Sequence, residues 1–116
     1  MSENNKFEFH EHPLFTGIAT MKKYDDLWFD SYTILHSIMY KPISSSLKEI
    51  SAENKKQYEL SNYNIGQRFD MINYNGIQEL LAIYDFDNKE EFIDFIEEIM
   101  RNYEANLWYA KRRLRL

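Results

Sequence analysis

The pattern of apolar residues predicts a mainly α fold: one small helical domain over residues 1–116 with a long C-terminal amphipathic helix, and an α+β arrangement as the alternative. Three observations carry this. Apolar residues recur every three or four positions from Phe92 to Leu114 with no Pro or Gly among them. β-Branched residues other than Ile are scarce, and valine is absent. A chain of 116 residues that is 44% hydrophobic and 16% aromatic has enough apolar material for one ordinary core without disulfides or metal staples.

Taken in order, residues 1–5 are polar and expected to be disordered. Residues 6–12 alternate apolar and polar around Phe7 and Phe9 up to Pro13, which predicts a short edge strand ended by a residue that cannot donate a backbone hydrogen bond. Residues 14–24 contain Gly17 and mixed polarity, and stay open between extended chain and loop. Asp25 and Asp26 are N-cap candidates for a helix to Tyr40, stopped by Lys41-Pro42. On a helical wheel Asp26, Asp30, Thr33 and Ser37 form a narrow polar stripe, and Leu27, Trp28, Tyr32, Ile34, Leu35, Ile38 and Met39 fill the opposite arc.

Ser46 and Glu49 have capping-box spacing, which predicts a second, polar helix from Leu47 to about Asn62, with a break near Ser51 as the alternative to a continuous one. Residues 67–86 have two readings. Asn75-Gly76 suits the tight turn of a β-hairpin, or it caps one helix before another begins at Ile77. The shortage of β-branched residues favours helix, cap, helix. The last helix is predicted over 88–115, with Asp87 and Glu90 at its start and acids before bases along its length, matching the helix dipole.

Twenty-eight helical residues span about 42 Å, whereas a compact chain of this length is about 35 Å across. Either the far end of the helix rests on the chain's own N-terminal segment, a second copy or a partner, or the body is elongated.

Composition narrows the function. The net charge is −5, and Lys111, Arg112, Arg113 and Arg115 are four of the fourteen cations; without them the body has ten cations against nineteen acids, a net of −9. Such a body repels nucleic acid and attracts basic partners. The absence of Cys removes disulfides, thiolate metal sites and a cysteine nucleophile. No stretch approaches the ~20 apolar residues of a membrane span, and no basic-then-apolar leader opens the chain, so the default expectation is cytoplasmic and off the membrane. The three glycines form no phosphate-binding loop or nucleophile elbow, and no enzyme activity and no cofactor are expected.

Four groups of residues are candidates for function. Asp85, Asp87, Glu90, Glu91, Asp94, Glu97 and Glu98 set seven carboxylates against Lys89 alone, with Glu91, Asp94, Glu97 and Glu98 opposite Phe92 and Ile96 on the wheel. This is either a solvated, dipole-matched helix face or a surface for a basic partner. Trp108 falls on the same polar face as Glu97, Arg101 and Arg115, with Tyr109 near it; a large aromatic ringed by charge suits a binding anchor, and the alternative is that the N-terminal strand folds over it. The basic C-terminus joins cations to stacking rings, but four charges on an acidic body are a weak footprint for nucleic acid. His10 and His12 share one side of a strand and are the weak candidates for a metal, with Glu8 or His36 as a third ligand; no longer ligand motif accompanies them, and no metal is expected.

The run 87–92 resembles the acidic helix starts of small bacterial immunity proteins, a likeness of six residues that carries no residue roles across. The leading expectation is a small acidic binding protein of inhibitor or immunity type. It would neutralise a basic partner protein through Glu90, Glu91, Asp94, Glu97, Glu98 and Arg101, with Trp108 and Tyr109 as anchor. The alternative is a structural homodimer or assembly component that pairs through the C-terminal helix.

Overall fold

The computed structural model describes residues 6–23, 26–38, 44–59 and 68–113, except for the side chains of 44–46 and 106–113. The fold is α+β and not mainly α. A five-stranded antiparallel sheet of order β1-β2-β3-β5-β4 is built from β1 (Glu8–His12), β2 (Phe15–Lys22), β3 (Leu27–Asp30), β4 (Lys55–Glu59) and β5 (Arg68–Ile72). Three helices, α1 (Ser31–Ile38), α2 (Tyr74–Ile83) and α3 (Lys89–Arg113), complete it.

The edge strand expected over 6–12 is β1. Its ladder with β2 is regular from Glu8 to His10 and then shifts register before His12. The segment left open after it is the long strand β2. Over its described residues, 26–38, the helix expected for 25–40 is a strand and a short helix; 25, 39 and 40 lie outside the described residues. Lys23 N donates to Asp26 O at 2.9 Å, the Asp26 carboxylate accepts from Leu27 N, and β3 follows at once. The helix starts at Ser31, and its cap is Asp30, whose carboxylate accepts from Thr33 N at 3.3 Å. β3 lies in the middle of the sheet with both faces covered, so all four of its residues are buried and the period-2 signal vanishes. Joined to the apolar residues of α1, that run imitates the broad arc of a single helix.

The polar helix expected over 47–62 is also absent where the chain is described. A 3-10 helix (Ser44–Glu49) gives way at Ile50 to a second short one (Ala52–Asn54) and then to edge strand β4. Asn75-Gly76 is neither hairpin turn nor helix C-cap. It lies in the first turn of α2, where the Asn73 side chain caps the helix by accepting from Gly76 N at 2.9 Å. The long C-terminal helix is present as α3, within two residues of its expected ends.

The helices bury one face of the sheet. Ile18, Leu27, Phe29 and Ile72 from the strands meet Ile34, Leu35 and Ile38 of α1, Ile77 and Leu80 of α2, and Phe92, Phe95, Ile96 and Ile99 of α3. The opposite face has its own small core of Met21, Trp28 and Met71, packed by Phe7, Tyr58 and Phe69. Phe7, just before β1, and Phe69 of β5 lie on strands three places apart, about 14 Å in a flat sheet, yet their ring centroids are 5.2 Å apart. The two rings thus meet over the small core that holds Met71, which is fully buried. Lys56 Nζ over the Trp28 ring and Lys23 Nζ over the Tyr58 ring add cationic cover to that cluster.

The longest extent of the molecule is 47 Å, and the 25 residues of α3 span about 38 Å. The buried stripe of α3 ends at Ile99, with Tyr103 half-buried beyond it; its expected continuation through Leu107, Ala110 and Leu114 lies outside the described side chains.

Candidate functional site

The acidic run opens α3. Asn88, with a φ of 64°, turns the chain into the helix, and Phe92 N donates back to Asn88 O. Side chains on one side of α3 are fixed by the core, since Phe92 and Ile96 are almost wholly buried and Phe95 and Ile99 nearly so. The helical period then sends Glu90, Glu91, Asp94, Glu98 and Arg101 to solvent, where all five are exposed, while Glu97 is half-buried. Five of the six expected site residues with described side chains thus share an open face, and Glu97 sits at its margin. Trp108 and Tyr109 lie in α3, but their side chains are outside the described residues, as are those of the basic C-terminus.

No carboxylate of this face takes part in an ion pair among the described residues; the pairs present are Lys22 with Glu8 and Arg68 with Glu59. Lys89, the single base within the acidic run, is turned away from it. Its Nζ donates to Leu81 O and Tyr84 O, at 2.6 and 2.9 Å, and so satisfies carbonyls at the end of α2. The composition of the run shows one cation among seven acids; the fold spends that cation on a helix terminus. A lysine just after an acidic helix start is usually read as a surface counter-charge, and the sequence carries no signal that it reaches back to the preceding helix.

The histidines do not converge. His10 Nε2 lies 2.8 Å from Thr20 Oγ1, and burial lowers its pKa against the upward pull of Glu8, with Lys22 adding to the lowering. His12 Nδ1 accepts from Leu14 N at 3.0 Å, and its ring packs 4.8 Å from Phe95 and 5.1 Å from Phe15. His36 stacks on Tyr32, on the exposed side of α1. Among the described residues no three His, Asp or Glu side chains are grouped to hold a metal ion. Beside His12, an open hollow of about 450 Å³ at the β1–β2 turn is lined by Glu11, Pro13, Phe15 and Gly17.

A second polar cluster, not foreseen from the sequence, surrounds Glu79 of α2. Its carboxylate accepts from Ser51 N at 3.1 Å, Ser51 Oγ at 2.7 Å and Asn54 Nδ2 at 2.7 Å, which together lower its pKa, the Asn54 bond most. Asn54 in turn accepts from the backbone and side-chain nitrogens of Asn73. These bonds tie the 3-10 segment to the start of α2, and every polar atom they use is turned inward on a neighbour. The cluster buttresses the fold; the acidic face of α3 is open.

No protein-family model, curated protein or solved structure gives a significant match to this chain. Among the described residues no helix is long and apolar enough to cross a membrane.

Proposed function

We propose that this chain is a small acidic binding protein of inhibitor or immunity type, which neutralises a basic protein by covering its surface with the outer face of α3. One observation carries the reading: Glu90, Glu91, Asp94 and Glu98 are exposed and form no ion pair among the described residues, on a helix whose other face is anchored in the core, while Lys89 is committed to α2. A rigidly mounted, predominantly negative field, with Arg101 the cation among its carboxylates, steers a basic partner and fixes its orientation, acting on association rate and specificity more than on raw affinity. Trp108 is the hydrophobic anchor of this reading, since a buried aromatic at the centre of a charged interface supplies the slow dissociation that charge alone does not.

The test begins with capture from the lysate of the source organism, nuclease-treated and washed at moderate salt, and then measures binding of the recovered basic protein. The triple variant Glu91→Lys, Asp94→Lys, Glu98→Lys is expected to keep its helical circular dichroism and lose about 10- to 1,000-fold in association rate at low salt. Unchanged rate and affinity in that variant would refute this assignment of the surface and leave the face as a solvated helix side.

A further inference from the structure

The sheet has two edges, and they are built differently. β4 presents Lys55, Lys56, Gln57, Tyr58 and Glu59, a run of charged and polar side chains that discourages pairing with another strand. β1 lacks that protection at its middle. Phe9 is 64% exposed, its ring packs edge-on against Phe7 with centroids 6.1 Å apart, and among the described residues nothing pairs with the outer side of the strand. An exposed edge with an apolar side chain at its centre is a template for one more strand.

We infer that the added strand is β1 of a second copy of this chain, paired antiparallel about a two-fold axis at Phe9. Self-complementarity singles out the second copy. With Phe9 opposite Phe9 of the second copy, each Glu8 faces the other copy's His10, so a carboxylate meets an imidazole on both sides of the axis. His10 engages Thr20 through Nε2 and has Nδ1 left for Glu8 of the second copy. The neighbouring registers are worse. Centring on Glu8 sets two carboxylates face to face. Centring on His10 opposes two imidazoles and runs the ladder through the irregularity between His10 and His12. On the other face of the sheet, the Phe9-centred register joins Phe7 and Phe9 of both copies into one aromatic cluster, continuous through Phe69 with the Met21, Trp28 and Met71 core. The regular part of β1 is short, so the interface is small and the dimer reversible. This association uses a surface other than the acidic face of α3 and stands or falls independently of the function proposed for it.

The chain contains no Cys, so a single introduced cysteine reports position cleanly. Residues directly opposite in an antiparallel pair have Cα atoms about 4.5–5.5 Å apart, within the reach of a disulfide. Phe9→Cys is therefore expected to form a disulfide-linked dimer under mild oxidation at least about tenfold faster than Tyr32→Cys, an equally exposed position on α1. In sedimentation equilibrium the native chain is expected to rise from monomer toward dimer mass with concentration, and Phe9→Lys, with unchanged circular dichroism, to stay monomeric over the same range. A constant monomer mass for the native chain overturns the inference. So does a dimer undiminished by Phe9→Lys, or equal cross-linking rates at positions 9 and 32.

Discussion

Gly76→Ala tests the packing that sets the start of α2. In an ordinary helix this exchange stabilises by up to about 1 kcal/mol, because Ala has the higher helix propensity. Here the added Cβ would lie 3.0 Å from Asn54 O, 3.2 Å from Ile72 Cβ and 3.3 Å from Ile50 Cγ2. The Ile50 methyl can swing aside. The other two cannot: Asn54 O accepts from Asn73 N at 3.1 Å, and Ile72 is held in β5 between β3 and β4. Relief must come from moving α2 away from the 3-10 segment, which strains the Asn54–Asn73 bond and the Glu79 contacts together. Overpacking of this kind costs about 1–3 kcal/mol; set against a propensity gain of about 1 kcal/mol, the net is a loss of up to about 2 kcal/mol. In urea unfolding, with a slope of about 2 kcal/mol/M for a chain of this size, the midpoint should fall by up to about 1 M. Ala82→Gly, at an exposed position of the same helix, measures the propensity effect alone. A midpoint for Gly76→Ala equal to or above that of the native chain would refute the argument that close approach requires glycine here.

Two further outcomes follow from burial. Met71→Ala removes a fully buried side chain from the second core and is expected to cost about 2–5 kcal/mol in urea unfolding; a loss below about 1 kcal/mol would mean that this face of the sheet is not closed. Burial raises the pKa of Asp30 from 3.8, outweighing the Thr33 and Tyr32 amides that favour the charged form. Its contribution to stability is therefore full below the unfolded pKa and is lost as pH rises through the higher folded value. Asp30→Asn keeps an N-cap acceptor, so its unfolding midpoint should gain on the native chain's as pH rises out of the aspartate range and then level off; a difference constant with pH contradicts this.

What the sequence makes legible depends on how many faces an element buries. α3 is covered on one face, and its period of three to four survives from Phe92 to Ile99. β1 is an edge strand, and its alternation marks it. β3 is covered on both faces, and β5 only at Met71 and Ile72. Leu27 and Phe29 enter the helix-side core and Trp28 the second one; Ile72 and Met71 divide in the same way. β3 carries no alternation to read, β5 alternates only over residues 68–71, and scarcity of valine misleads because Met, Trp, Phe and Tyr do the packing that β-branched residues do elsewhere. Asn75-Gly76 misled for a different reason. That glycine answers a carbonyl oxygen twenty-two positions away in Asn54, a contact invisible to local turn chemistry. The acidic face was legible in position and sign, because both follow from the period of α3. The withdrawal of Lys89 was not, since it depends on where α2 ends.

The two surfaces differ in what they ask of the fold. On α3, binding and folding are separable at Glu90, Glu91, Asp94 and Glu98, because each is exposed while Phe92, Phe95, Ile96 and Ile99 hold the helix in place. Reversing these charges changes the field a partner meets without opening the core. Glu97 is half-buried, so a loss of binding on its substitution mixes packing with charge, and it belongs outside the diagnostic set. Lys89 has the converse property. Replacing it by Met leaves every carboxylate of the face in place but removes the donor to Leu81 O and Tyr84 O, loosening the turn between α2 and α3. If a rigid mounting matters to recognition, Lys89→Met weakens binding although it makes the acidic run more negative. If net charge alone governs recognition, the same variant binds more tightly. The sign of that one change therefore separates a placed surface from a merely acidic one.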